Sequence, residues 1–227
     1  MKTYTHNLMK IYLDTADLNE IREANKTGLI DGVTTNPTLI LRSGRTLQAV
    51  AKQLVDEFPN FESISTEVVG DTAEEMLSQA EQFIALGSPA ITIKLPCTVE
   101  GLKACKVLNS KGINTNITLI FNAAQAILAA KAGATYVSPF VGRLDDNSIA
   151  GLEVVRSISE VYRVHGVKTK VLAASIREVH RAVRSWYNGA AVVTMPPQVF
   201  WKMYDHILTD KGLELFQKDW DAANAEL

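Results

Sequence analysis

The sequence predicts an α/β protein built as a single (β/α)8 barrel of the TIM type, and three observations predict it. Short β-rich runs alternate with longer stretches of helical period, eight times along the chain. Strands that alternate with helices pair in parallel, because each crossover returns the chain to the same end of the sheet. A chain of 227 residues divided into eight such units fits one closed barrel. A doubly wound open sheet is the competing arrangement, but no glycine-rich phosphate turn follows the first strand.

The elements follow in order. The strand candidates are residues 10–15 (KIYLDT), 32–36 (GVTTN), 63–68 (SISTEV), 91–95 (ITIKL), 113–118 (INTNIT), 135–141 (TYVSPFV), 170–175 (KVLAAS) and 191–195 (AVVTM). Pro96 closes the fourth of them. Amphipathic stretches lie between, among them 71–87, 98–112 and 148–166. In the first of these Met76, Ala80, Phe83 and Ile84 repeat at helical spacing. Gly87, Gly112 and Gly166 stand where helices should stop. Residues 210–227 form an additional C-terminal helix with Leu213, Phe216 and Trp220 on one face. That face is expected to pack on its own barrel or to reach a neighbouring subunit. No linker or low-complexity segment divides the chain, so residues 1–227 read as one domain, with 1–8 as a short N-terminal extension.

Composition narrows the function. Hydrophobic residues make up 47% and charged residues 21%, as in an ordinary globular protein. A formal net charge of −2 and no basic stripe argue against nucleic acid as a partner. No apolar run is long enough for a membrane span, and the start, MKTYTHNLMK, lacks the apolar core of a signal peptide. A cytoplasmic protein is the expectation. Cys97 and Cys105 fit no metal or redox spacing, and the four histidines, His6, His165, His180 and His206, are scattered. No metal and no cofactor are expected.

The polar residues within the strands carry the functional signal. Strand residues alternate between two faces, and in a barrel one face points at the axis. In 91–95 the apolar Ile91, Ile93 and Leu95 belong under the helices, so Thr92 and Lys94 point inward. The same division turns Tyr12 and Asp14, Thr34 and Asn36, and Ser63, Ser65 and Glu67 inward. It does so again for Asn114, Asn116 and Thr118, for Tyr136, Ser138 and Phe140, and for Val171, Ala173 and Ser175. The polar members fall near the ends of their strands, at the C-terminal rim where barrel enzymes keep their active sites. Singly, each has an ordinary explanation. Asp14 can cap a helix, although Asp17 suits that task better, and Lys94 can extend its amine to water. Together they describe a pocket whose buried polar groups would cost about 1–3 kcal/mol for each neutral group left unpaired.

That set suits one kind of chemistry. Burial disfavours the charged form of a lysine, and a neutral amine attacks a carbonyl to form an imine. Glu67 and Asp14 are carboxylates available for proton transfer. Asn36, Asn116 and Ser138 can hold the hydroxyls of a polyol. Arg143 and Arg177 lie just beyond the sixth and seventh strands, and Ser175 and Arg177 stand where a helix is expected to begin. The rival for each arginine is a surface ion pair. Together they suggest a phosphate site late in the barrel.

The segments YLDTAD (12–17), GVTTNPTLI (32–40), STEV (65–68), IKLPCTVEGL (93–102), GINTNITLIF (112–121), YVSPFVGRLDD (136–146) and VLAAS (171–175) resemble the small transaldolases, the group that also contains fructose 6-phosphate aldolases. The resemblance covers nearly the whole chain. It implies a metal-free aldol reaction through an imine on Lys94, with Asp14 as the acid–base group and Glu67 and Thr118 holding the catalytic water. It implies that Asn36, Asn116 and Ser138 bind a dihydroxyacetone unit and that Arg143, Ser175 and Arg177 bind phosphate. Fructose 6-phosphate aldolases carry glutamine where Glu67 stands and tyrosine where Phe140 stands, so this chain follows the transaldolase pattern. The implied reaction moves a three-carbon unit from sedoheptulose 7-phosphate or fructose 6-phosphate to erythrose 4-phosphate or glyceraldehyde 3-phosphate in the pentose phosphate pathway. Release of free dihydroxyacetone is the alternative, and a non-catalytic sugar-phosphate sensor is a rival of another class. The resemblance also implies a homo-oligomer with ring symmetry, a pentamer or decamer. Family members commonly begin near the equivalent of Met9, so translation from Met1 or from Met9 stays open.

Overall fold

The computed structural model describes residues 9–225, so the expected extension over residues 1–8 lies outside the described residues. Eight parallel strands close a barrel in chain order. They are β1 (Lys10–Asp14), β2 (Gly32–Thr34), β3 (Ser63–Glu67), β4 (Ile91–Pro96), β5 (Asn114–Ile120), β6 (Tyr136–Pro139), β7 (Lys170–Ala173) and β8 (Val192–Met195). Closure comes from β1 pairing with β8 as well as β2, with Tyr12 opposite Thr194 and Asp14 opposite Thr34.

The outer helices are α1 (Leu18–Asn25), α3 (Leu47–Glu57), α4 (Ala73–Ile84), α5 (Val99–Ser110), α6 (Ala123–Lys131), α8 (Gly151–Val164), α9 (Val179–Tyr187) and α10 (Pro197–Lys202). Two short helices not expected from the sequence, α2 (Pro37–Ser43) and α7 (Val141–Asp146), follow β2 and β6 directly. Their starts are local decisions. Asn36 caps α2 by accepting from Leu39 N at 3.0 Å, and Pro37 needs no N–H partner in the first turn. At α7, Gly142 N donates to Ser175 O at 3.0 Å, an approach that a side chain would block, since an added Cβ would lie 2.3 Å from that oxygen.

The core has two layers. Outward strand residues such as Leu13, Val33, Ile64, Ile93 and Ile117 meet the helices. Tyr12, Tyr136, Leu172, Ala174 and Val192 form a separate cluster. Lys10 and Lys170 pair with Glu62 at 3.4 and 2.7 Å beside that cluster, at the N-terminal ends of the strands. Burial and the neighbouring Glu62 charge push the Tyr136 hydroxyl up to about 12. Among the described residues these side chains fill the lower barrel.

The alternation expected for 170–175 is out of phase by one residue. Val171 and Ala173 join the outer core, while Leu172 and Ala174 face inward. The register explains this, because inward Tyr136 pairs with Lys170 and outward Val137 with Val171. Small apolar residues on both faces of that strand conceal its phase.

The C-terminal helix α11 spans Ile207–Ala225. It does not bury its apolar residues against its own barrel: Leu213, Phe216 and Trp220 are all more than 60% exposed. No helix among the described residues is long and apolar enough to cross a membrane.

Candidate active site

Lys94 lies on the inward face of β4 and is 5% exposed. Its Nζ is 2.9 Å from Glu67 Oε2 and donates to Thr35 O at 3.2 Å. Strand register produces the ion pair, since β3 and β4 place Glu67 directly opposite Lys94. The next strand sets Asn116 opposite Lys94 on its other side.

A cavity of about 150 Å³ opens in front of the lysine. Of the residues expected in the site, Asp14, Asn36, Lys94, Asn116, Ser138, Phe140, Arg143 and Ser175 line it. Glu67 reaches Lys94 without lining this cavity. Thr118 lies beyond Asn116 on β5, buried and opposite Pro96.

Several polar atoms here are committed and others are free to act. Ser138 Oγ donates to Asn116 Oδ1 at 2.8 Å, which leaves Asn116 Nδ2 as a donor. That Nδ2 and Thr118 Oγ1 are both buried without a hydrogen-bond partner among the described residues. Unpaired buried groups cost about 1–3 kcal/mol each, so they suit a ligand or water better than a bare core. Just past Thr118, Leu119 adopts φ 59° and the β5–β6 register shifts between Ile117 and Ile120. A bulge with a left-handed leucine is strained, and such strain concentrates at sites that work.

Asp17 caps α1 through Asn19 N and Glu20 N, so Asp14 is not needed as a cap. Asp14 Oδ1 instead accepts from Thr34 Oγ1 at 2.8 Å. Burial holds the Asp14 carboxyl above its ordinary value; the Lys94 charge and the Thr34 bond oppose the rise, and Glu67 adds to it. The folded protein therefore binds this proton more tightly than the unfolded chain. Stability must fall as pH rises from the unfolded value through the raised one. Asp14→Asn removes that loss. Above the raised value its melting temperature is expected to exceed wild type, with the gap closing at the lowest pH at which the fold holds. Thermal unfolding at the two pH values checks this.

The phosphate end differs from expectation in two respects. Helix α9 starts at Val179 with Glu178 as its cap, so Ser175 and Arg177 lie in the preceding loop. Ser175 enters the cavity because its backbone is left-handed, φ 58°, not because strand alternation carries it there. Arg177 does not line the cavity; both its terminal nitrogens bond the carboxylate of Asp146. The guanidinium of Arg143 lies 5.1 Å over the Phe140 ring, and Phe140 meets Phe121 edge-on at 5.9 Å.

Two groups escaped the sequence reading. Thr194 on β8 lines the cavity, and the Thr35 carbonyl holds Lys94. Thr194 had a signal, as the one polar residue in an otherwise apolar strand. A backbone carbonyl has none.

Comparison with known proteins identifies the family. Residues 11–227 match the family model described as transaldolase/fructose-6-phosphate aldolase. A probable transaldolase of Paracoccus denitrificans is 50% identical over 214 residues, covering 93% of this chain and 96% of its own. One of Symbiobacterium thermophilum is 45% identical over 219 residues, covering 96% and 100%. A third, of Brucella ovis, is 49% identical over 212 residues, covering 93% and 96%. With a closed eightfold barrel, a buried lysine–glutamate pair and these relatives, the chain belongs to the transaldolase/fructose-6-phosphate aldolase family.

Proposed function

We propose that this protein is a transaldolase that carries a dihydroxyacetone unit as an imine on Lys94. The observation that carries the reading is the buried Lys94–Glu67 pair at 2.9 Å, facing a cavity shared with Asp14 and Asn116. Glu67 is placed to take the proton that the amine must shed before attack. Lys94 Nζ then adds to the ketone carbon of the donor sugar phosphate, and the carbonyl oxygen leaves as water. Asp14 removes the proton from the hydroxyl two carbons further on. The bond from that hydroxyl-bearing carbon to the carbon next to the imine breaks, its electron pair moves toward the imine nitrogen, an aldose phosphate departs, and an enamine stays on Lys94. An acceptor aldose phosphate adds to the enamine, and Asp14 returns the proton to the new hydroxyl. Water held by Glu67 and Thr118 finally hydrolyses the imine.

Asn36 Nδ2, Asn116 Nδ2 and Ser138 supply hydroxyl contacts for the three-carbon unit. Arg143 and Ser175 are the nearer phosphate ligands. Arg177 joins them by exchanging Asp146 for phosphate, a swap of one oxyanion for another.

Transfer rather than release is supported by Phe140, which has no proton to give the enamine. The donors we propose are sedoheptulose 7-phosphate or fructose 6-phosphate, the acceptors erythrose 4-phosphate or glyceraldehyde 3-phosphate, as in the pentose phosphate pathway. The test is a coupled assay of fructose 6-phosphate turnover with and without erythrose 4-phosphate. Sustained turnover is expected only with the acceptor; rapid dihydroxyacetone release without it would favour the aldolase reading.

The exposed face of α11 supports assembly into a ring of subunits, since apolar groups of this size are seldom left in water. Phe216→Asp with Trp220→Asp is expected to yield monomers in sedimentation velocity. A wild-type monomer, or an unchanged oligomer in the double variant, would contradict that role for α11.

A further inference from the structure

The reading of Asp14 as the proton-transfer group leaves open what fixes its orientation and which of its oxygens works. Three threonine and aspartate side chains answer this. Thr34 Oγ1 donates to Asp14 Oδ1 at 2.8 Å and lies 2.7 Å from Thr194 Oγ1. Both threonines are 2% exposed. They come from β2 and β8, the two strands that flank β1, and are 160 residues apart in sequence.

Proton counting sets the direction of this chain. An ionised carboxylate only accepts, and a hydroxyl has one proton. The Thr34 proton is spent on Asp14, so in the contact between the threonines Thr34 accepts and Thr194 donates. Thr194 thus occupies a lone pair of Thr34 that a donor in the pocket would otherwise take, and it polarises the Thr34 hydroxyl toward Asp14. The bond to Oδ1 survives protonation of the carboxyl, which directs the travelling proton to Oδ2.

We propose that Thr194, acting through Thr34, is a positioning residue that holds Asp14 in its working orientation and makes Oδ2 the oxygen that exchanges the proton. Two buried hydroxyls satisfying each other would be the purely structural alternative. The two differ in what they predict for acidity. Asp14 is faced by Lys94 from β4, Glu67 from β3, Thr34 from β2 and Thr194 from β8, with Arg143 of α7 on the same cavity. Weakening the threonine chain removes part of what favours the carboxylate against burial. The base form of Asp14 is then lost at a higher pH, and the acidic limb of kcat moves up.

The experiment measures kcat, KM and the kcat–pH profile for Thr194→Val, Thr194→Ser, Thr34→Val and the Thr34→Val/Thr194→Val double variant. Thr194→Val keeps the shape and removes the hydroxyl. It is expected to lower kcat about tenfold, to change KM little and to shift the acidic limb upward; Thr194→Ser restores both. In the Thr34→Val background the second change adds nothing further, since Thr194 acts only through Thr34. Thr194→Ala serves if the valine variant does not fold. An unshifted profile with wild-type kcat in the hydroxyl-free variants, or full additivity in the double variant, overturns the proposal. Borohydride trapping of donor on Lys94 is run on every variant. Its failure in wild type sinks the imine reading itself, whereas trapping that persists beside an unmoved profile sinks only the role of Thr194.

Discussion

Lys94→Met is expected to abolish turnover and to leave the barrel folded. Methionine matches the lysine stem in length and packs in the same inward position of β4, so circular dichroism should match wild type. The amine has no substitute: the other groups lining the cavity are carboxylate, amide, hydroxyl, aromatic, guanidinium and the methyl of Ala174, none of which forms an imine. The expected loss in kcat is about 10⁴-fold or more, the scale seen when a covalent nucleophile is removed. Lys94→Arg should fail equally, although it keeps a charge beside Glu67, because a guanidinium does not lose its proton here. A residual activity within tenfold of wild type in either variant would remove the imine from the account.

Phe140→Tyr is expected to change the outcome of the reaction rather than its rate alone. The ring lines the cavity between Ser138 and Arg143, edge-on to Phe121. A hydroxyl added there supplies a proton donor that the wild-type pocket lacks at this position. Protonating the enamine makes the bound unit hydrolysable without an acceptor. Release of free dihydroxyacetone should rise roughly a hundredfold, the lower range for a placed acid, with acceptor-dependent transfer falling in the same variant. Enzymatic detection of dihydroxyacetone without acceptor checks this, and release at the wild-type level would count against Phe140 as the group that keeps the unit on the lysine.

Most of the site was legible because strand alternation and register are strong constraints. In ITIKL the isoleucines and Leu95 fix the phase of β4, and Lys94 has only the axis left to face. The same reasoning placed Asp14, Asn116 and Ser138 at the cavity. It failed over β7 and the residue after it, where Val171, Leu172, Ala173 and Ala174 are all apolar and no residue declares a face. Ser175 was found for the wrong reason, since a left-handed backbone and not alternation brings it in. The short helices α2 and α7 were missed because six or seven residues carry too little periodicity to read. The pairing of Arg177 with Asp146 needed three dimensions, as the two are 31 residues apart, one closing α7 and the other in the loop before α9. The C-terminal helix was legible as a helix, but where its apolar face goes was not.

Every step of the proposed reaction depends on a three-carbon unit held covalently on Lys94. Incubation with fructose 6-phosphate and sodium borohydride, followed by peptide mapping by mass spectrometry, tests it most directly. One reduced dihydroxyacetone adduct is expected, on the peptide containing Lys94 and on no other lysine. No adduct, or an adduct on a different lysine, would contradict it.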